Sequence, residues 1–347
     1  MNRPTCFIAV ALAFAGCVQD PVAVRPVIPI PSAKVVYILN EGFFGQGNST
    51  LSYYDLQAFQ VHNDAFRAVN NRGIGDVGNQ IVLRGTRGYI VVNNSNRIEV
   101  FDPSTIRSLG TISLGPGSSP RQIAFASDSI GLVTNLYDNS VSVVHLFSGI
   151  VLNRIAVGNN PDGIAVSAGK AVVANSGFGS GNTVSIIALD RLQVVRTVRV
   201  GDNPQGVVTS AAGEVFVVCG GAYGDFSNPA DDTPARLFVI DPLTESAIDS
   251  ILIGGHASLM AIGPGSTGYV PTADSVLTVD LVRRQVVGTF TRGAYYGAAV
   301  EEVSGDVYLS DVQQYAGPGK IVVFSSGGEY RTQFPVGLIP GSMAFKR

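Results

Sequence analysis

The sequence predicts an all-β fold: a seven-bladed β-propeller of four-stranded blades, closed by pairing the C-terminal strand into the first blade. Three observations predict it. Short runs rich in Val and Ile alternate with clusters of Gly, Pro, Asn and Asp along the chain, the residues that suit pleated strands and tight turns. A unit of four such runs returns about seven times at a spacing of roughly forty residues, the period of a propeller blade. No 3.6-residue apolar period of useful length competes with it in the mature chain.

The clearest unit is 131–175, GLVTNLYDNSVSVVHLFSGIVLNRIAVGNNPDGIAVSAGKAVVAN. Its run 132–135 turns through Tyr137-Asp138-Asn139-Ser140 into 141–144, then through Phe147-Ser148-Gly149 into 150–157. Gly158-Asn159-Asn160-Pro161-Asp162-Gly163 leads to 164–167, and Ala171 starts the series again. With the strands of a blade lettered A to D from the axis outward, B runs lie at 35–40, 89–94, 172–175, 215–219, 269–272 and 307–311. A runs lie at 80–83, 121–125, 164–167, 205–209, 258–262, 297–300 and 341–345. The first blade therefore has B, C (51–56) and a ragged D, but no A. The chain ends on a surplus A strand, 341–346, and placing it in that gap closes the ring without exposed edges.

Composition bounds the function. The 347 residues carry a net charge of −3, with 14% charged residues and 41 glycines. A phosphate-binding face needs clustered Lys and Arg, so nucleic acid is not an expected partner. Cys6, Cys17 and Cys219 are too few for a disulfide framework.

Residues 1–16 read as a lipoprotein signal peptide. Arg3 supplies the charged start, and the apolar stretch 7–15 is too short to span a membrane as a mature helix. The stretch ends in Phe14-Ala15-Gly16-Cys17, which resembles the lipobox of bacterial lipoproteins. That resemblance implies acylation of Cys17, with multiple acyl chains giving a stable anchor. An ordinary secretory signal with an incidental Cys is the alternative. Residues 17–34 form the lipidated N-terminus and a Pro-rich tether, which four prolines in 20–34 make extended and semi-rigid; it is expected to be poorly ordered. The propeller spans 35–347.

The units 132–135, 139–143 and 157–166 resemble the YVTN family of β-propellers, whose surface-layer-like members are seven-bladed. The opening 36–44 with 48–55 is similar to a lipoprotein branch common in Bacteroidetes. That branch includes propellers that capture cobalamin for TonB-dependent outer-membrane transporters. The resemblance implies a cell-envelope protein, lipid-anchored at the outer membrane on its surface or periplasmic face. Its motifs are turn and strand residues and carry no ligand-binding position.

Strand direction gathers the B-to-C and D-to-A connections on one rim, where the chain places its unusual residues. The B-to-C loops hold Phe43, Phe44, Tyr137, Asp138, Phe178, Tyr223, Phe226 and Tyr315, with Gln313 and Gln314. The D-to-A loops add Asp76, Arg121, Asp162, His256, Tyr295 and Tyr296. Aromatic rings beside a few amides and carboxylates on rigid loops suit a broad, partly apolar ligand or a partner's hot spots. Singly, each ring is better explained by packing on its own loop or between blades; taken together, the rim favours binding.

Catalytic signals are weak. His62, His145 and His256 fall in different blades, no zinc-site spacing occurs, and no G-x-S-x-G elbow is found. Cys219 ends an apolar strand as a small hydrophobe. Asp225, Asn228, Asp231 and Asp232 are oxygen donors of the kind calcium takes, and loop solvation explains them equally. No cofactor and no catalytic residue are expected. Two readings stand: a non-enzymatic lipoprotein capturing a corrinoid-like ligand for a TonB-dependent transporter, or an envelope adhesion propeller with a protein or glycan partner. Fold alone does not exclude an enzyme.

Overall fold

The structure, a computed structural model, describes residues 29, 31, 33–224 and 229–347. The signal peptide, Cys17, most of the tether and residues Asp225, Phe226 and Asn228 lie outside the described residues.

Seven four-stranded antiparallel sheets form the ring. From the inner strand outward, blade 1 is Pro340–Lys346, Val35–Asn40, Thr50–Asp55 and Gln60–His62. Blade 2 is Gly78–Arg84, Arg87–Val92, Arg97–Phe101 and Ser108–Ser113; blade 3 is Pro120–Phe125, Ile130–Asn135, Ser140–His145 and Ile150–Ala156. Blade 4 is Pro161–Ser167, Lys170–Asn175, Thr183–Ala188 and Gln193–Arg199; blade 5 is Pro204–Thr209, Val215–Cys219, Arg236–Asp241 and Ser246–Leu252. Blade 6 is Ala261–Gly263, Thr267–Pro271, Ser275–Asp280 and Gln285–Arg292, and blade 7 is Gly297–Val300, Val307–Asp311, Pro318–Phe324 and Tyr330–Leu338.

The second strand of a blade is sandwiched between two neighbours, which is why it reads as an unbroken apolar run rather than an alternating one. In blade 1, Val35, Tyr37 and Leu39 pack into a cluster shared with Ile81, Ile90 and Phe101 of blade 2. Val36 and Ile38 point the other way, into a cluster with Tyr308, Ile321 and Phe334 of blade 7. The Asn that ends several of these strands clamps the third strand. Asn40 Nδ2 donates to Ser52 Oγ at 2.9 Å, Asn135 Nδ2 to Ser142 Oγ at 2.8 Å, and Asn175 Nδ2 to Ser185 Oγ at 3.1 Å.

The closure is as the sequence predicts. Val35 pairs with Lys346, Val36 with Phe345, Tyr37 with Ala344 and Ile38 with Met343, all antiparallel. Two expectations change. The inner strand of blade 6 starts at Ala261, not Ser258, because the Ser258 carbonyl accepts the Gly206 N–H of the neighbouring blade at 2.9 Å rather than a partner within its own sheet. The end of the tether is also more ordered than expected. Pro31 is buried, and the Pro29 carbonyl accepts the Tyr53 hydroxyl at 2.7 Å. The ragged outer strand of blade 1 is followed by a short helix, Ala65–Asn70, whose Ala65 and Phe66 complete the blade 1–blade 2 core. No helix among the described residues is long and apolar enough to cross a membrane.

Removing residues 340–347 strips the inner strand from blade 1 and exposes the edge of Val35–Asn40. The truncated protein is expected to lose its cooperative melt or to melt roughly 10 °C lower or more, since each kcal/mol shifts a domain of this size by a few degrees. A thermal scan monitored by circular dichroism checks this, and a melt equal to the parent's contradicts the closure.

Candidate ligand site at the axial mouth

The inner strands of blades 1 to 5 begin with a break in pairing. In blades 3, 4 and 5 the register jumps from Pro120 to Ile123, from Pro161 to Ile164 and from Pro204 to Val207; in blade 2 it jumps from Gly78 to Gln80. The closing strand repeats the jump between Pro340 and Ser342. A bulge frees residues from the ladder and re-aims their side chains. The freed residues are Asn79, Arg121, Gln122, Asp162, Gly163, Gln205, Gly206 and Gly341. All of them except Gly163 line a cavity of about 510 Å³ around the axis.

The residue before each bulge is left-handed: Val77 (φ 56), Ser119 (φ 49), Asn160 (φ 47), Asn203 (φ 54) and Ile339 (φ 54). Asn takes this conformation cheaply, whereas branched Val77 and Ile339 are held there at a cost. Bonds between neighbouring blades supply the restraint. Ile123 N–H donates to Gln80 Oε1 at 2.7 Å, Ile81 N–H to Ser342 Oγ at 3.1 Å, and Thr134 Oγ1 to the Asp162 carbonyl at 2.6 Å. Gly163 is required at this spacing, because a Cβ there would stand 2.1 Å from the Gln205 carbonyl oxygen.

The cavity is polar at its mouth and apolar at its floor. Ile81, Ile164, Val207, Met260, Ala298 and Met343 form the floor, below which the channel continues past Ala165, Ile262 and Glu302. At the mouth Arg121 grips Asp162 with both ends of its guanidinium, Nε to Oδ1 at 3.0 Å and Nη2 to Oδ2 at 3.3 Å. Asp162, and with it the nearby Glu41, raises the already high pKa of Arg121, so the cation is permanent.

Glu41 stands opposite. Its N–H donates to the Ile339 carbonyl, and its side chain lies so close to Gly341 that a Cβ there would meet Glu41 Oε1 at 2.4 Å. The Tyr296 hydroxyl donates to Glu41 Oε2 at 3.1 Å. Burial pushes the Glu41 carboxyl up to about 7, against the opposing pull of Arg121 and the Tyr296 hydrogen bond, with Asp162 adding to the rise. Burial, together with Glu41, likewise raises the Tyr296 hydroxyl. In the same wall, Asn79 Oδ1 is buried without a hydrogen-bond partner among the described residues.

Around this mouth the rim aromatics come in pairs. Tyr137 and Phe178, 59% and 64% exposed, have ring centroids 5.7 Å apart. Tyr223 stacks on His256 at 3.8 Å, and Tyr296 meets Tyr315 edge-on at 6.3 Å. Phe44 is 68% exposed and Phe43 sits beside it, their loop held by Gly45 N–H donating to the Asp76 carboxylate at 2.9 Å. Phe178 (φ 52) and Tyr315 (φ 61) present their rings from left-handed backbone, strain of the kind that collects at binding sites.

Other sequence-predicted residues are engaged locally. Asp138 pairs with Arg154, which also reaches the Leu114 carbonyl. Tyr295 packs inward against the blade 6–blade 7 core. His256 uses Nδ1 on the Gly220 carbonyl at 2.9 Å and Nε2 on Asp232 Oδ2 at 3.2 Å, so it pins the long loop of blade 5. Hydrogen bonds from Gly224 N–H and from His256 hold the Asp232 carboxyl below its usual range. Among the described residues no group of three or more His, Cys, Asp and Glu is placed to hold a metal. His145 bonds Ser148, His62 stacks on Tyr53, and Cys219 is buried with its thiol pushed up to about 12.

Sequence reasoning placed Arg121 and Tyr296 on the rim but missed Glu41, Asn79, Gln80, Gln122 and Gln205. The signal was available. Aligning the repeats at the inner-strand start puts Asn79-Gln80, Arg121-Gln122, Asp162-Gly163, Gln205-Gly206 and Gly341-Ser342 in one register, a polar pair where an apolar run is due.

A profile of the family described as a domain of unknown function (DUF5074) matches residues 34–227, more than half of the chain. No curated protein matches the sequence. Among solved structures, a quinonprotein alcohol dehydrogenase-like protein from Bacteroides thetaiotaomicron is 14% identical with a TM-score of 0.69, covering 91% of this chain and 79% of that one. Hydrazine synthase from Kuenenia stuttgartiensis is 18% identical with a TM-score of 0.63, covering 77% and 89%. Apo AztD from Citrobacter koseri is 11% identical with a TM-score of 0.57, covering 90% and 98%. Identities this low speak for the propeller fold alone.

The Glu41 carboxyl gives a pH signature. The folded state holds its proton more tightly than the unfolded chain, so this stability is complete below 4.5 and is lost as pH rises to about 7 and beyond. Glu41→Gln removes the loss. The variant is expected to match the parent at pH 4.5 and to exceed it by about 1–3 kcal/mol at pH 8, the upper figure set by the conversion from pKa to free energy. Paired urea titrations at the two pH values check this, and an unchanged difference between them contradicts the assignment.

Proposed function

We propose that this chain, which belongs to the family of domains of unknown function DUF5074, is a non-enzymatic ligand-binding propeller of the cell envelope whose upper rim captures its ligand. One observation carries the reading. A polar cavity of about 510 Å³ and three pairs of partly exposed rings converge on the rim formed by the B-to-C and D-to-A connections. The volume lies in the range of small-molecule pockets, and rings surrounding a few polar groups are the usual composition of such sites. Among the described residues no group of three or more His, Cys, Asp and Glu is placed to hold a metal there.

A corrinoid is the ligand we put forward, for delivery to a TonB-dependent outer-membrane transporter. Its macrocycle is too large for the axial cavity and would lie across the rim. Its carboxamide arms would meet Asn79, Gln122 and Gln205 at the mouth, and its ring system would meet Tyr137 and Phe178. Topology supports an envelope orientation. The chain reaches Val35 on the lower rim, opposite the rings, and Pro29 is tied to blade 1 by Tyr53. An acylated Cys17 on that side would turn the upper rim away from the membrane.

Titration of residues 18–347 with cyanocobalamin, followed by calorimetry, tests this. The expected result is one-to-one binding that Tyr137→Ala and Phe178→Ala each weaken about tenfold, which corresponds to about 1.4 kcal/mol. Absence of heat removes corrinoids and moves the reading to a protein or glycan partner on the same rim.

A further inference from the structure

The axial cavity has its own ligand chemistry, separable from whatever lies across the rim. Charge bookkeeping within it is uneven. Among the described residues Arg121 is the single cation lining the cavity, and both ends of its guanidinium are already committed to Asp162. Glu41, the second carboxyl, receives only the Tyr296 hydroxyl, and no Lys, Arg or His among the described residues forms an ion pair with it. Asn79 Oδ1 adds an acceptor without a donor in the same wall. With Glu41 ionised, the mouth is therefore rich in acceptors and short of one positive charge.

That shortage is built, not incidental. Glu41 follows directly on the clamped Asn40, its main chain is tied to Ile339, and Gly341 leaves the space its carboxylate fills. A residue of any larger size at 341 would push the carboxylate out. Beside it stands the Tyr296–Tyr315 pair, aromatic faces of the kind that attract cations. An ammonium group supplies three donors, no acceptor and one positive charge, which answers each of these demands. A carboxylate or phosphate ligand would face Glu41 and Asp162 with Arg121 already occupied.

We propose that the axial cavity binds an organic ammonium ion, held between the carboxylates of Glu41 and Asp162 with its apolar portion against Tyr296, Tyr315 and the apolar floor formed by Met260 and Met343. The proposal rests on the reading of the upper rim as a ligand face. The groups facing Glu41 are Arg121, Asp162 and Tyr296, from blades 3, 4 and 7. Of these, Arg121 keeps its charge throughout the neutral range. An arriving ammonium thus favours ionised Glu41, and binding displaces its proton.

The test is calorimetry on the full chain with three probes of similar shape: phenethylamine, 2-phenylethanol and phenylacetate. Phenethylamine is expected to bind at pH 6.5 at least tenfold more tightly than the neutral alcohol, with phenylacetate weakest of all. Its apparent heat should vary with the ionisation enthalpy of the buffer, reporting proton release. Glu41→Gln, verified as folded by its melt, should weaken phenethylamine at least tenfold and abolish the buffer dependence. Equal binding of the alcohol or of phenylacetate overturns the proposal on the unaltered protein, without reliance on any variant. Retention of phenethylamine affinity in Glu41→Gln overturns it as well. Binding of cyanocobalamin without phenethylamine overturns this inference and leaves the rim reading standing; failure of both ligands overturns this inference and removes the corrinoid, moving the rim reading to a protein or glycan partner.

Discussion

Pairing of Val35–Asn40 with Pro340–Lys346 is the contact on which the rest depends. A propeller blade cannot bury both of its faces alone, so each relies on the next, and an open ring leaves two blades half-covered. Here the closing pair joins residues near the two ends of the propeller, and the inner strand it adds is also a wall of the axial cavity. Glu41 comes from the start of the propeller and Gly341 from its end, yet they touch. The contact that closes the ring also assembles this part of the cavity.

The cavity itself follows from a local device used repeatedly. A left-handed residue, a Pro or Gly, and a short unpaired stretch start the inner strand. Pairing further along the strand then resumes in register, so the break does not propagate. The unpaired residues have no ladder partner and line the axis, where Arg121 of blade 3 reaches Asp162 of blade 4; their paired neighbours Gln80 and Ser342 add side-chain bonds to the next inner strand. The arrangement tolerates Val77 and Ile339 in left-handed backbone because the ring around them is fixed on both sides.

Polarity along the axis follows the same geometry. At the mouth the bulges deliver Asn, Gln, Arg and Asp; one turn of chain deeper, regular pairing delivers Ile, Val and Met. Glu41 sits where these regimes meet, close enough to the apolar wall for burial to hold its proton and close enough to Arg121 for that hold to be limited. Such a carboxyl responds to any charge brought near it.

The architecture is legible in the amino-acid pattern. Val- and Ile-rich second strands such as 172–175 require two buried faces, the forty-residue period counts the blades, and the surplus strand at 341–346 has only one gap to fill. The same pattern shows which rim gathers the aromatic loops, because strand alternation fixes that once the blade is known. Which residues meet across the ring is set by the closed fold. Glu41 and Tyr296 are 255 positions apart, and no spacing rule links them; Tyr295, the neighbouring residue, turns into the core instead. The start of the blade 6 inner strand shifted because a carbonyl found its donor in the next blade. Periodicity constrains residues within a repeat, whereas a site on the symmetry axis is made from one or two residues of every repeat, and their contacts exist only after the ring is closed.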